Sequence, residues 1–152
     1  MVNYKQPKNG GYPMEQSLIK TIKLGNGLKL DFYDISRKLA GDRWYVGMMM
    51  RIDIPLTDLL LTSQLFSNYS IKEIRKALGE AVCFQNIRER HYIDERKKDV
   101  LLQGLMDSFI TSTVHYFSHP DFPAKYVIKE FKACLKRQAW RKNDHRGCES
   151  EP

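Results

Sequence analysis

The stretch WYVGMMMRIDIPL, residues 44–56, determines the expected fold. Apolar side chains recur at every second position, which is the period of a β-strand with one buried face. We therefore predict that the following side chains lie in the core: Trp44, Val46, Met48, Met50, Ile52, Ile54 and Leu56. Arg51 and Asp53 then lie on the opposite face. Pro55 lacks an N–H and marks the end of the strand or an edge position.

Three further strands are expected around this one. Gly25-Asn26-Gly27 separates the apolar runs 18–24 and 28–35, and an Asn-Gly pair between β-prone runs is a strong hairpin signal because both residues tolerate positive φ. Residues 81–93 are also β-prone, but their alternation changes phase midway. We predict that this segment is a strand containing a bulge.

The helices are predicted from their end signals. Ser70 and Glu73 form a capping box, and Gly79 is suited to end the short helix that follows. Asp94 can cap a long helix that reaches about Phe117. After two prolines, a last helix is expected over residues 123–142.

These elements predict an α+β fold, with an antiparallel sheet of about four strands and two long C-terminal helices packed on one face. A single domain would cover residues 17–142. Glycine and proline punctuate residues 1–16, which we interpret as a flexible N-terminal arm, and the polar residues 143–152 as a flexible C-terminal tail.

Composition narrows the class of protein. The 152 residues include three widely spaced cysteines, and this number and spacing suit neither a disulfide framework nor a zinc ribbon. No apolar run is long and uncharged enough to cross a bilayer, and no signal peptide is visible. We expect a cytoplasmic protein with no membrane association, no bound metal and no cofactor.

The polar connection between residues 36 and 43 is a candidate ligand-binding loop. Loops often carry binding residues, and paired arginines can hold a phosphate through two parallel hydrogen bonds. The candidate residues are Asp34, Ser36, Arg37, Asp42 and Arg43. The alternative is a charged hairpin loop without a ligand.

Parts of this region resemble an uncharacterised family of small bacterial proteins of unknown function. The resemblance covers about the first third of the chain. It is carried by Gly27-Leu28-Lys29-Leu30, Ser36-Arg37 and Ala40-Gly41-Asp42-Arg43-Trp44. It implies a bacterial origin and no particular activity.

The net charge of +7 is concentrated near the C-terminus. Residues 125–146 contain eight lysines and arginines against two carboxylates, which accounts for +6 of that charge. At 100° per residue four lysines fall on one narrow line of the last helix: Lys125, Lys129, Lys132 and Lys136. We call them the lysine stripe. The stripe is a candidate nucleic-acid-binding surface, and the alternative is a solvated helix face.

Function is therefore expected to be non-enzymatic binding or regulation, with an anionic partner such as a nucleic acid or nucleotide. One alternative is a nucleic-acid-binding protein that uses the stripe. Another is a hydrolase or nuclease whose acidic site combines Asp31, Asp53 and Glu89 with Lys29. A homodimer is also expected, because Tyr33, Tyr45 and Met49 fall on the face opposite the core.

Overall fold

The computed structural model describes residues 16–149, with side chains as far as Asp144. Within this range the chain forms the predicted α+β fold. The strands are β1 (Ser17–Lys23), β2 (Lys29–Asp34), β3 (Arg37–Ala40), β4 (Arg43–Pro55) and β5 (Ala81–Asp94). The helices are α1 (Asp58–Leu61), α2 (Ile71–Leu78), α3 (Lys98–Phe117) and α4 (Phe122–Glu149). The predicted N-terminal arm lies almost wholly outside the described residues.

The sheet is antiparallel and has β4 at its centre. β5 pairs along one edge of β4, while β2 and β3 share the other edge and β1 pairs with β2. The partners Leu30↔Ile52 and Lys38↔Trp44 keep the same register, so β2 and β3 follow β4 as one interrupted strand. This interruption explains why five strands form where the sequence predicted about four.

The alternation of core-facing and opposite-facing side chains predicted for β4 is confirmed. Val46, Met48, Met50, Ile52 and Ile54 are buried in the core, while Arg51 and Asp53 are partly exposed on the other face. Trp44, at the start of the strand, is only half-buried, and the Lys98 ammonium lies over its ring at 3.9 Å from the centroid.

The predicted bulge in β5 is present. The register between β4 and β5 shifts between Trp44 and Val46, and Tyr92 opposite this shift has a φ of 57°. In the described part of the chain β5 pairs with β4 alone, so its outer edge carries no further strand.

The long helices cover one face of the sheet. Met106 and Phe109 of α3, with Val127 and Phe131 of α4, join the strand residues in the main core. One half of the predicted capping box of α2 is confirmed, since the Ser70 hydroxyl accepts from the Glu73 amide at 3.1 Å. The last helix continues past the predicted end at Lys142 to Glu149. None of the helices in the described range has the length and apolar character to cross a bilayer.

The opposite face of the sheet carries a smaller cluster of Ile35, Tyr45 and Met49, with Tyr33 packed against it. Tyr45 and Met49 are only 5% and 2% exposed. The exposed apolar patch that led us to expect a homodimer is therefore largely covered by the protomer itself.

Candidate anion-binding surfaces

The polar connection between residues 36 and 43 is mostly strand and not a loop, because Arg37–Ala40 forms β3. Two of the candidate ligand-binding side chains, Asp34 and Ser36, form hydrogen bonds in the connection between β2 and β3. Asp34 accepts a hydrogen bond from the Ser36 amide at 2.9 Å, and the Ser36 hydroxyl accepts from the Gly47 amide at 3.2 Å.

The two candidate arginines are engaged separately. Arg37 lies over the ring of Tyr45, 5.4 Å from its centroid. Arg43 lies 3.8 Å from both the Asp42 and the Asp94 carboxylates. Each of the five side chains thus has a contact within the protein. The guanidinium groups of Arg37 and Arg43 have different partners and do not converge on one position where a phosphate could bind to both.

Of the acidic residues in the hydrolase alternative, Asp31 and Asp53 both lie close enough to Tyr33 to add to the rise that burial causes in its pKa, whereas Glu89 lies far along the sheet. Asp31 pairs with Arg51, while Glu89 pairs with Gly47 and Asp53 with Cys83. Cys83, the partner of Asp53, precedes Glu89 by six residues along β5. At the rise of a strand this spacing separates Asp53 from Glu89 by roughly 20 Å. No group of three side chains that could together bind a metal ion occurs among the described residues.

The lysine stripe runs along the exposed face of α4. All four of its side chains are exposed, whereas Val127, Ile128 and Phe131 are buried in the main core, where α4 packs against α2. The helix forms this way because its apolar residues recur at helical spacing and leave the lysines on the far side. The stripe residues follow one another at about 6, 4.5 and 6 Å along the helix axis.

The charge of the stripe is not neutralised by any side chain in the described range. No carboxylate among the described side chains forms an ion pair with any of the four lysines. Glu130 is the one acidic residue between Lys125 and Lys136, and it is half-buried beside Tyr126. Burial, followed by the proximity of Glu130, raises the pKa of Tyr126 to about 12. The Glu130 carboxylate thus lies beside the Tyr126 hydroxyl and does not pair with a lysine of the stripe.

An exposed aromatic side chain continues the stripe. Trp140 is 71% exposed and lies four residues after Lys136. Fifteen residues separate it from Lys125, which places it within about 60° of that lysine around the helix axis. Beyond Phe131 the helix has little left to bury, and every side chain from Leu135 to Asp144 is exposed.

No protein-family model, curated protein or solved structure matches this chain. Function must be inferred from the chemistry of its surfaces. The sequence predicted the lysines and a helix that includes Trp140, whereas the exposure of this indole is shown by the structure.

Proposed function

We propose that this protein is a non-enzymatic binding module whose anionic partner is a single-stranded nucleic acid, bound along α4. The observation that carries the proposal is the stripe of four lysines without ion pairs, in line with the exposed indole of Trp140. We also propose a reducing, cytosolic location, which the free thiols of Cys83 and Cys134 support.

The lysines supply affinity that does not depend on sequence. Each lysine that approaches a phosphate displaces condensed counterions, so affinity falls as salt concentration rises. Four contacts correspond to a log–log slope of about −2.8 for a single strand and about −3.6 for a duplex. Because none of the described carboxylates pairs with these lysines, binding breaks no salt bridge in this part of the chain.

The indole favours single strands over duplex. Base faces are available for stacking only where the bases are unpaired, and stacking on an aromatic side chain is worth about 1–3 kcal/mol per base. Trp140 has two χ angles to order and an exposed ring. Binding of a single strand would therefore combine phosphate contacts along the stripe with stacking at its end.

The test is fluorescence anisotropy with a labelled mixed-sequence single strand over a salt series. Replacing the four stripe lysines by glutamine keeps helix propensity nearly unchanged, so the fold should survive and binding at moderate salt should be lost. The matched control replaces four exposed lysines outside α4, namely Lys20, Lys23, Lys38 and Lys72. Both variants lose the same charge. Equal weakening in the two would show that net charge, and not the stripe, attracts the nucleic acid.

Trp140→Ala tests stacking separately. We expect it to weaken single-strand binding by about fivefold or more, with the salt slope unchanged, and to leave duplex binding nearly unaffected. An unchanged affinity for the single strand would remove stacking from the proposal.

A further inference from the structure

A small polar cavity lies between β5 and α3, away from the stripe. Its volume is about 200 Å³, and its walls are Arg88, Arg90, Leu105, Ser108, Phe109 and Ser112. Ligand pockets for drug-sized molecules typically measure about 300–1,000 Å³. The cavity is therefore suited to one small chemical group and not to a whole cofactor.

The fold brings the two arginines to this place. Arg88 and Arg90 pair across the sheet with Met48 and Val46, which are buried beneath the helices. Cross-strand partners share a face, so both arginines lie on the helix side of the sheet. Ser108 and Ser112 are one turn apart on α3, where they lie on the same side of the helix.

The cavity carries positive charge that no described side chain neutralises. Neither guanidinium has a carboxylate within ion-pair distance in the described part of the chain. Among the described residues, the Arg90 guanidinium donates only to the backbone carbonyl of Glu89, at 2.7 Å. The Glu89 carboxylate instead accepts from the Tyr45 hydroxyl on the other face of the sheet.

From this arrangement we infer a second anion site, specific for a phosphate group. Guanidinium groups match the geometry of phosphate oxygens through paired N–H donors, and the Ser108 hydroxyl adds a further donor. Leu105 and Phe109 complete the lining of the cavity. The group is either free inorganic phosphate or the phosphate of a small monoester, since both present the same oxygens.

Isothermal titration calorimetry of the full chain at constant ionic strength tests the site, with inorganic phosphate and O-phosphoserine as probes and acetate as the reference anion. We expect saturable binding of a phosphate probe and none of acetate. Tighter binding of phosphoserine identifies a monoester as the ligand, and tighter binding of inorganic phosphate identifies the free ion. An absence of binding by both probes, or acetate binding as tightly as phosphate, would overturn the inference.

Three variants connect the binding to the cavity. Arg88→Gln and Arg90→Gln should each weaken phosphate binding at least about tenfold, and Ser108→Ala about fivefold. The matched control is Arg96→Gln, because Arg96 pairs with Asp94 and does not line the cavity. The four-glutamine variant of α4 should retain phosphate binding, so this site and the stripe can fail independently. Unchanged binding in both Arg88→Gln and Arg90→Gln would place any phosphate site elsewhere and refute this one.

Discussion

Replacing Gly47 by alanine should destabilise the protein, although the same change usually stabilises a strand. A Cβ atom at Gly47 would lie 2.7 Å from both Ile35 Cγ1 and Tyr45 Cε1, and 2.9 Å from the Tyr45 hydroxyl oxygen. Contacts this short force the Tyr45 ring to move. The ring is held in place by its hydrogen bond to Glu89 at 2.5 Å and by its contact with His91, at 5.2 Å between ring centroids.

The magnitude combines three effects. Glycine within a strand costs roughly 0.5–1 kcal/mol relative to alanine, which favours the variant. Overpacking costs about 1–3 kcal/mol, and a hydrogen bond to a charged group contributes about 1.5–3 kcal/mol when it is intact. Loss of about half of the Tyr45–Glu89 bond energy then leaves a net destabilisation of about 1–4 kcal/mol.

Urea denaturation followed by circular dichroism measures this difference, provided that the slope of the transition is unchanged. Gly104→Ala is the matched control, because Gly104 lies in the middle of α3 with nothing within 4 Å of an added Cβ. It should stabilise the protein by up to about 1 kcal/mol. In a Tyr45→Leu background, Gly47→Ala should reduce the free energy of unfolding by less than it does in the wild-type protein, since the ring that the added Cβ contacts is absent. A stabilising effect of Gly47→Ala would refute the placement of Tyr45 across Gly47.

Two further predictions concern pH and self-association. The pKa of Tyr45 is raised to about 12 by burial and then by Glu89, above the value of 10.0 in the unfolded chain, so the stability it contributes is present below pH 10 and is lost as pH rises towards 12. Tyr45→Phe should reduce this loss of stability, which urea titrations at a series of pH values measure. Some loss should remain, because the pKa of Tyr126 is also raised. An unchanged pH profile would contradict the assignment. Sedimentation at micromolar concentration should decide the expected homodimer: a species near twice 17.8 kDa supports it, and a monomer alone removes it.

The elements that the sequence predicted best are those set by local pattern. The alternation from Val46 to Ile54 determined both the strand and its core face, because a shift of one residue would move every one of these side chains to the opposite face of the sheet. Ser70 and Glu73 located the start of α2, since capping depends on residues only three apart.

The parts that sequence did not predict depend on distant partners. The sequence predicts a polar connection over residues 36–43, whereas Arg37–Ala40 forms the strand β3 because it extends the pairing of β2 along β4. The phosphate cavity combines Arg88 with Ser108, and no local periodicity relates a strand residue to a helix residue in this way. The Asn26 side chain likewise donates to the Phe117 carbonyl at the end of α3, 91 positions away in sequence.

The exposed half of α4 has a consequence for how this protein can change over evolution. Between Ala139 and Asp144 each side chain lies in solvent, so substitutions there alter the surface that a partner meets without opening cavities in the core. Selection for a new partner could therefore act on Trp140 and its neighbours at little cost in folding free energy. In the β4 core, by contrast, any change in recognition would be coupled to a change in stability.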